Sequence, residues 1–206
     1  MSPRSSVLLL ALLFAGPAAR ARRADPPAFT PVDPKVLQGW MSEGTPVAEH
    51  ARLRDYVGTW TTQQTDWLPS GRAWNQAAGT ATFHLVLGGR FVQEDYTTTL
   101  DGKPFHALGL MGFDRQKKAY NSLWMDDLNT GFIALDGTFD GTGRVLTLLG
   151  GIPAGGSDSA SAAAWRVVDT WWDPDHHAVI WWGRGAAGQP VKLSQILYTR
   201  TPAKVQ

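Results

Sequence analysis

The sequence of 206 residues has no cysteine and no excess of charge of either sign. Without cysteine, the chain cannot form a disulfide framework, a thiolate zinc site, an iron–sulfur cluster or a cysteine nucleophile. With 19 basic against 18 acidic residues, it also lacks the positive charge that marks a nucleic-acid-binding protein. Tryptophan and glycine are abundant instead, at 10 and 22 residues. Large aromatic residues combined with many turn formers are typical of a β-rich protein with an aromatic interior.

The first residues have the pattern of a secretory signal peptide. Arg4 gives a basic start, residues 7–15 are an unbroken apolar run, and residues 19–21 read Ala-Arg-Ala, a small-residue cleavage site. The apolar run is shorter than the about 20 residues that a transmembrane helix needs. We therefore expect a signal peptide over residues 1–21, no membrane span after its cleavage, and a periplasmic or secreted protein.

An arm and a short helix are predicted between the cleavage site and the first strand. Residues 22–44 contain four prolines and few apolar side chains, which predicts an extended arm. Residues 45–56 predict one short helix, with Thr45 as N-cap, Pro46 at the first helical position and Gly58 after the end. The folded domain is therefore expected to begin near residue 45.

After residue 58 the apolar side chains recur with a period of two, as they do in strands. Turn signals rich in Gly, Asp and Pro separate about ten such runs at a spacing of about 8–12 residues. The runs cover residues 58–67, 79–87, 90–100, 103–113, 118–126, 130–139, 144–150, 163–172, 177–183 and 190–200. We predict an all-β domain over residues 45–200, an up-and-down antiparallel barrel of about 9–10 strands, with a sandwich as the alternative. The small polar segment 150–160 is either a lid or a tolerated insertion, and residues 201–206 form a tail.

Several short motifs together resemble the bacterial family called domain of unknown function 1579. They are Gly-Gly-Arg-Phe-Val-Gln-Glu-Asp-Tyr at 88–96, Gly-Lys-Pro-Phe at 102–105, Gly-Phe-Asp at 112–114 and Tyr-Thr-Arg at 198–200. The resemblance covers about residues 52–200. It implies a closed or nearly closed calycin-like barrel in an exported bacterial protein. It supplies no reaction, because no established activity belongs to the family.

The first strand opens with Gly58-Thr59-Trp60, and Gly-x-Trp after a short helix resembles the calycin superfamily of lipocalin-like barrels. In such barrels the tryptophan packs at the closed end against a basic residue from late in the chain. The resemblance therefore implies that Arg200 stacks on Trp60. The Gly-x-Trp-x-Gly-x-Gly run of the related haem-binding nitrobindin-like barrels is missing, because Thr61 to Gln63 follow instead. We predict no haem and no other cofactor.

Alternation along two strands identifies candidate ligand-binding residues, because neighbours at a spacing of two share a face. In residues 90–100 the face with apolar residues at both ends also contains a glutamate and a tyrosine. In residues 118–126 large aromatic and polar side chains share a face. The predicted ligand-binding residues are Glu94, Tyr96, Tyr120, Trp124 and Asp126. A buried carboxylate needs partners, and the candidate donors are Tyr96, Tyr120, Arg90 and the indole N–H groups.

Three functions are open for such a barrel. The first is binding of a small, largely apolar ligand between aromatic walls. The second is a hydrolase or isomerase in which Glu94 and Tyr96 act as acid and base, although the sequence has no recognised catalytic motif. The third is a filled barrel that serves as a structural or interaction module, with a Trp-rich hairpin as its partner surface.

That hairpin, predicted from residues 163–172 and 177–183, contains Trp165, Trp171, Trp172, Trp181 and Trp182. Adjacent residues on a strand face opposite ways, so one tryptophan of each adjacent pair is expected outside the interior, as a cross-strand pair or a partner surface. The same rule separates His176 from His177, and His84 and His106 lie on different strands. We therefore predict no metal site.

Overall fold

Ten antiparallel strands form a closed barrel in the computed structural model, which describes residues 31–150, 165–185 and 187–202. The strands are β1 Gly58–Trp67, β2 Ala73–Val86, β3 Phe91–Leu100, β4 Lys103–Asp114, β5 Ala119–Asp126, β6 Ile133–Phe139, β7 Val145–Gly150, β8 Trp165–Asp173, β9 His176–Arg184 and β10 Pro190–Arg200. Each strand pairs with its neighbours in sequence, and β1 pairs with β10 to close the barrel. The predicted all-β, up-and-down antiparallel barrel is confirmed, and the sandwich alternative is wrong.

The predicted signal peptide, residues 1–21, lies outside the described residues, and so does almost all of the segment 150–160. Within the described part of the chain, no helix combines the length and the hydropathy that a membrane crossing requires. The chain divides into two units, Met1–Gly39 and Trp40–Gln206, and the barrel belongs to the second.

The second strand is longer than the sequence pattern predicts, because β2 begins at Ala73 rather than at residue 79. A tight turn is the reason. The N–H of Gly71 donates to the carbonyl of Leu68 (2.8 Å), and the N–H of Leu68 donates to the carbonyl of Arg72 (2.9 Å). This turn places Ala73 directly opposite Trp67, so the ladder between β1 and β2 starts immediately after it.

The predicted extended arm is wrong over part of its length, since Pro34–Glu43 is an α-helix, α1. Asp33 begins this helix by accepting a hydrogen bond from the N–H of Lys35 (2.8 Å), and Pro34 occupies the first helical position, where a missing N–H costs nothing. Residues 22–30 of the arm lie outside the described part of the chain.

The helix predicted over 45–56 is present as a 3₁₀ helix, Ala48–Asp55. Its N-cap is Val47 rather than Thr45, because the N–H of Val47 donates to Nδ1 of His50 (3.1 Å). Leu53 and Tyr56, which follow one side of this segment, are buried. The 3₁₀ helix packs against β3 and β4 and covers one end of the barrel.

This covered end is held together around Trp60, which is fully buried. The indole Nε1 of Trp60 donates to the carbonyl of Tyr56 (2.8 Å). The guanidinium of Arg200 lies 4.0 Å from the Trp60 ring centroid and donates to the carbonyls of Val57 (2.6 Å) and Asp55 (2.7 Å). The cation–π contact between Trp60 and Arg200 is therefore confirmed, and the same arginine also ties the 3₁₀ helix to the last strand.

Candidate functional site

The barrel interior contains two cavities that share a pair of tryptophans. The chamber, a cavity of about 80 Å³, lies in the middle of the barrel. The mouth, a cavity of about 360 Å³, lies at the end opposite the 3₁₀ helix. Trp124 and Trp181 line both cavities, and their ring centroids are 5.6 Å apart. Any molecule that passes from the mouth into the chamber therefore meets these two indoles.

The walls of the chamber are mostly apolar. Aliphatic and aromatic side chains from many strands line it, among them Phe83, Val92, Leu146, Val167 and Val179. Its strongly polar lining residues are fewer: Glu94, Asp169 and His177. An apolar cavity with a few convergent polar groups is the usual form of a small-molecule site.

Glu94 points into the chamber from β3, as the alternation predicts. The hydroxyl of Tyr198 donates to its Oε1 (2.9 Å), while Oε2 has no hydrogen-bond partner among the described residues. Burial raises the pKa of Glu94 to about 8; the Tyr198 hydrogen bond opposes this shift, and the nearby charge of Asp169 adds to it. At pH 7 the unliganded carboxyl is therefore mainly protonated, and one of its oxygens is free to bind a ligand.

The partner of Glu94 differs from every donor that the sequence suggests. Tyr96, Tyr120 and Arg90 all bond elsewhere, and Arg90 donates to the carbonyls of residues 44 and 87. The Tyr96 hydroxyl donates to Oε1 of Gln64 (2.6 Å) rather than to Glu94. The expectation that Tyr96, Tyr120 or Arg90 bonds to Glu94 is wrong, whereas the indole donor expected for an inward carboxylate is present at Asp126, which accepts from Trp124.

A glycine leaves space beside the Glu94 carboxyl. Gly109 on β4 lies between Glu94 on β3 and Trp124 on β5 in the strand register. A Cβ atom at this glycine would lie 3.2 Å from Oε2 of Glu94 and 3.6 Å from Cε3 of Trp124. We call the part of the chamber that is lined by Glu94, Gly109 and Trp124 the notch.

A buried carboxylate, Asp169, forms the second polar group of the chamber. It accepts hydrogen bonds from the Tyr56 hydroxyl (2.7 Å) and from the Trp171 indole (3.0 Å). Nδ1 of His177 lies 2.8 Å from its other oxygen, and because a carboxylate only accepts, this nitrogen is the donor. Three donors compensate the cost of burying one charge.

His177 links this carboxylate to Glu94. The imidazole is stacked between Trp171 (4.4 Å between centroids) and Tyr198 (4.3 Å), and Tyr198 is the residue that bonds to Glu94. Nε2 of His177 is buried and has no hydrogen-bond partner in the described part of the chain.

The Asp169–His177 group was not identified from the sequence, although a signal for the aspartate exists. Trp165, Val167, Asp169 and Trp171 alternate along β8, so an inward face of large apolar residues contains one carboxylate.

Tyr96 and Asp126 belong to the mouth. Burial raises the pKa of Tyr96 to about 12. Asp126 accepts hydrogen bonds from the Trp124 indole (3.0 Å) and from the N–H of Leu128 (2.9 Å). Asp126 therefore orients Trp124 and ends β5.

Tyr120 lies away from both cavities. Its hydroxyl donates to the carbonyl of Glu49 in the 3₁₀ helix (2.9 Å), and its ring packs against Phe113 and Phe139 at 5.1 and 5.2 Å. Of the five predicted residues, the structure places Glu94 and Trp124 at the chamber and Tyr96, Trp124 and Asp126 at the mouth. It places Tyr120 under the covered end instead.

In the Trp-rich hairpin, the adjacent residues Trp171 and Trp172 lie on opposite sides of the barrel wall. Trp171 is 5% exposed and Trp172 is 53% exposed. Trp181 lines the cavities and packs on Trp165 at 5.8 Å, whereas Trp182 lines neither.

The histidines are separated as expected. His177 is buried, while His176 is exposed and bonds to Asp173. His84 and His106 each lie beside a different aspartate. Across the described ranges, no three His, Asp or Glu side chains are grouped as a metal site requires.

Comparisons with known proteins identify the family and the fold. A family model described as "Protein of unknown function (DUF1579)" matches residues 45–200. The crystal structure of Rv2717c from M. tuberculosis is 17% identical, covers 77% of this chain and 100% of its own, and has a TM-score of 0.55. At this identity the likeness concerns the fold alone.

Two other solved structures are more distant. A redesigned beta barrel is 12% identical, with coverage of 73% and 96% and a TM-score of 0.39. A protein with unknown function from the DUF3598 family of Nostoc punctiforme PCC 73102 is 8% identical, with coverage of 76% and 100% and a TM-score of 0.23. No curated protein matches the sequence.

Proposed function

Because this chain belongs to the DUF1579 family of proteins of unknown function, no activity comes to it from its relatives, and we propose from its own geometry that it binds a small, largely apolar molecule inside the barrel. The observation that carries the proposal is the chamber, whose apolar walls surround one carboxyl oxygen, Oε2 of Glu94, that has no hydrogen-bond partner in the part of the chain that the structure describes. A ligand with an apolar body and one polar group complements this arrangement.

The sizes of the two cavities limit the ligand. The chamber of about 80 Å³ holds only a few non-hydrogen atoms, and the mouth of about 360 Å³ accommodates the rest of a molecule. A single aromatic ring that buries on the order of 150–200 Å² of apolar surface gains about 4–5 kcal/mol. This corresponds to a Kd of about 1 mM or somewhat below. The first probes should therefore be small aryl compounds at millimolar concentration.

The test is a titration with 2-phenylethanol, followed by tryptophan fluorescence, because Trp124 and Trp181 line both cavities. Val179→Phe places a larger side chain in the chamber wall, and Leu149→Phe makes the same kind of change at an exposed position of β7. We expect saturable quenching in the wild type and in Leu149→Phe, and at least about tenfold weaker binding in Val179→Phe.

Thermal unfolding of each variant checks that the barrel is intact, since overpacking of a core costs about 1–3 kcal/mol. Equal binding by Val179→Phe and the wild type would contradict an interior site. Native mass spectrometry of protein purified without lipid or detergent is an independent measurement, because a copurified ligand leaves the protein on denaturation and thereby reveals its mass.

We further infer that the protein is exported. The support is the sequence pattern of residues 1–21, with its basic start, apolar run and Ala-Arg-Ala ending. The full chain produced in a bacterial host should be recovered from the periplasm or the medium with Arg22 as its first residue. Intact protein beginning at Met1 and confined to the cytosol would contradict export.

A further inference from the structure

We propose that the interior of this barrel selects small organic cations, that is, protonated amines with an apolar body, and that the ammonium group binds Oε2 of Glu94 in the notch. The inference rests on the proposed function, because it concerns the charge of the ligand that occupies the same site. It predicts that an amine binds better than an alcohol or a carboxylate of the same shape.

The first argument is the charge of the cavity linings. Four acidic residues line the chamber and the mouth, namely Asp66, Glu94, Asp126 and Asp169, and among the described lining residues there is no lysine or arginine. The one histidine of the chamber lining, His177, already donates to Asp169. An anionic ligand would find no lysine or arginine among these described lining residues, which makes its burial there costly.

Lys192 lies near the mouth without lining it. Its ammonium is 4.2 Å from the ring centroid of Trp67, a lining residue of the mouth, and bonds to Gln195. This contact shows an ammonium group stacked on an aromatic wall of the same barrel.

The second argument identifies which of the four carboxylates is free to bind. Asp169 has three donors, as described above. Asp66 receives the side-chain N–H groups of Gln64 and Asn75. Asp126 accepts hydrogen bonds from the Trp124 indole and from Leu128 and Asn129 in the turn that follows β5. Within residues 31–150, 165–185 and 187–202, Glu94 has one donor, Tyr198, and Oε2 is left without any. A ligand cation therefore completes the bonding of Glu94 and of no other interior carboxylate.

The third argument is the shape of the notch. A Cβ atom at Gly109 would contact both Oε2 of Glu94 (3.2 Å) and the six-membered ring of Trp124 (3.6 Å), so the glycine leaves both groups uncovered where all three residues line the chamber. An ammonium group in the chamber beside Gly109 would touch the carboxylate of Glu94 and the indole of Trp124. A charge-assisted hydrogen bond and a cation–π contact would both stabilise it.

Proton linkage gives the inference a distinctive pH dependence. Burial raises the pKa of the unliganded Glu94 to about 8, so an ammonium ion must displace a proton from this carboxyl at pH 7. The affinity for an amine should rise by about tenfold between pH 6 and 7 and by a smaller factor up to pH 8, while the amine itself stays protonated. The affinity for a neutral alcohol should not rise over this range.

The titratable groups around Glu94 belong to four other elements. Tyr198 on β10, Asp169 on β8, His177 on β9 and Tyr56 after the 3₁₀ helix line the same chamber. Burial raises the pKa of both Tyr198 and Tyr56 well above the usual value, so neither titrates between pH 6 and 8. Asp95 is the next residue on β3, faces outward and is exposed.

The experiment compares 2-phenylethylamine, 2-phenylethanol and phenylacetate by calorimetric titration of the full protein at pH 6, 7 and 8. The proteins are the wild type, Glu94→Gln and the control Asp95→Asn, which neutralises a carboxylate on the outer face of the same strand. We expect the amine to bind at least about tenfold more tightly than the alcohol at pH 8, and phenylacetate to bind most weakly. Glu94→Gln should lose this preference but keep its affinity for the alcohol, and Asp95→Asn should match the wild type.

The outcomes separate this inference from the proposed function. If the alcohol and the amine bind equally well, or if phenylacetate binds best, cation selection is refuted while interior binding stands. If none of the three probes binds to the wild type, both proposals are contradicted. Binding of the alcohol by Glu94→Gln shows that the variant is folded. Should the variant fail to fold, the wild-type pH series decides, because an amine affinity that is flat or falls from pH 6 to 8 overturns the inference.

Discussion

The raised pKa of Glu94 makes the stability of the unliganded protein depend on pH in a way that one substitution removes. In the unfolded chain this carboxyl titrates near its ordinary value of 4.5, whereas in the barrel burial raises the pKa to about 8. Between pH 4.5 and 8, Glu94 must therefore take up a proton when the chain folds. The stability is complete below pH 4.5, falls as the pH rises from 4.5 to 8, and is constant above 8.

The magnitude follows from the size of the shift. Each pKa unit corresponds to about 1.4 kcal/mol, so a shift from 4.5 to about 8 costs about 5 kcal/mol at most, and about 3 kcal/mol at pH 7. Glutamine has the same shape as protonated glutamate, and its carbonyl can accept the hydrogen bond from Tyr198. We therefore expect Glu94→Gln to be more stable than the wild type by about 3 kcal/mol at pH 7, with little difference at pH 4.5.

The assay is urea unfolding followed by tryptophan fluorescence at pH 4.5, 6, 7 and 8. The difference in the free energy of unfolding between Glu94→Gln and the wild type isolates this carboxyl, because other titrating groups contribute to both proteins. Asp95→Asn, exposed on the other face of β3, should give only a small difference at every pH, because its contact with His84 is solvent-exposed. A difference for Glu94→Gln that stays within about 0.5 kcal/mol across this range would refute the argument that Glu94 is protonated in the folded protein.

Three further predictions concern other residues of the site and its support. Gly109→Ala should weaken 2-phenylethylamine binding by at least about tenfold, because its methyl group would lie against Oε2 of Glu94 and the Trp124 ring and cover both; unchanged affinity in calorimetry would show that the ammonium lies elsewhere. Asp169→Asn should lower the free energy of unfolding by about 2–4 kcal/mol, since the amide presents donors to a site that already has three; a urea midpoint equal to that of the wild type would contradict this. Arg200→Lys should cost about 1–3 kcal/mol in the same measurement, because an ammonium cannot both stack on Trp60 and reach the carbonyls of Val57 and Asp55. Stability unchanged within error would mean that the closed end does not depend on the guanidinium.

Strand positions and faces were predictable because they depend on local patterns. Alternation correctly turned Glu94 and Tyr96 inward and placed Trp171 and Trp172 on opposite sides of the wall. Helix 34–43 was missed because the prolines outweighed one capping aspartate in the interpretation of the sequence. In that region the local signal for a helix was present but was assigned to an extended arm.

The alternation of side chains along a strand does not show how far along the barrel axis a residue lies. Tyr120 and Asp126 share a face of β5, yet at about 3.3 Å per residue they are about 20 Å apart along the strand. They therefore lie towards opposite ends of the barrel, Tyr120 under the 3₁₀ helix and Asp126 at the mouth. A single small cavity cannot include both.

The sequence by itself determined the closed antiparallel barrel, the inward direction of Glu94 and the pairing of Trp60 with Arg200, since turn chemistry, a period of two and a family resemblance were enough for these. Only the tertiary structure decided which groups surround Glu94. Its partner Tyr198 is 104 positions away along the chain, and Asp169 and His177 reach the chamber from two further strands. The register of the ten strands in the closed barrel determines which of these residues are in contact. Those contacts give the unpaired oxygen of Glu94, its raised pKa and the notch, which together define the proposed site.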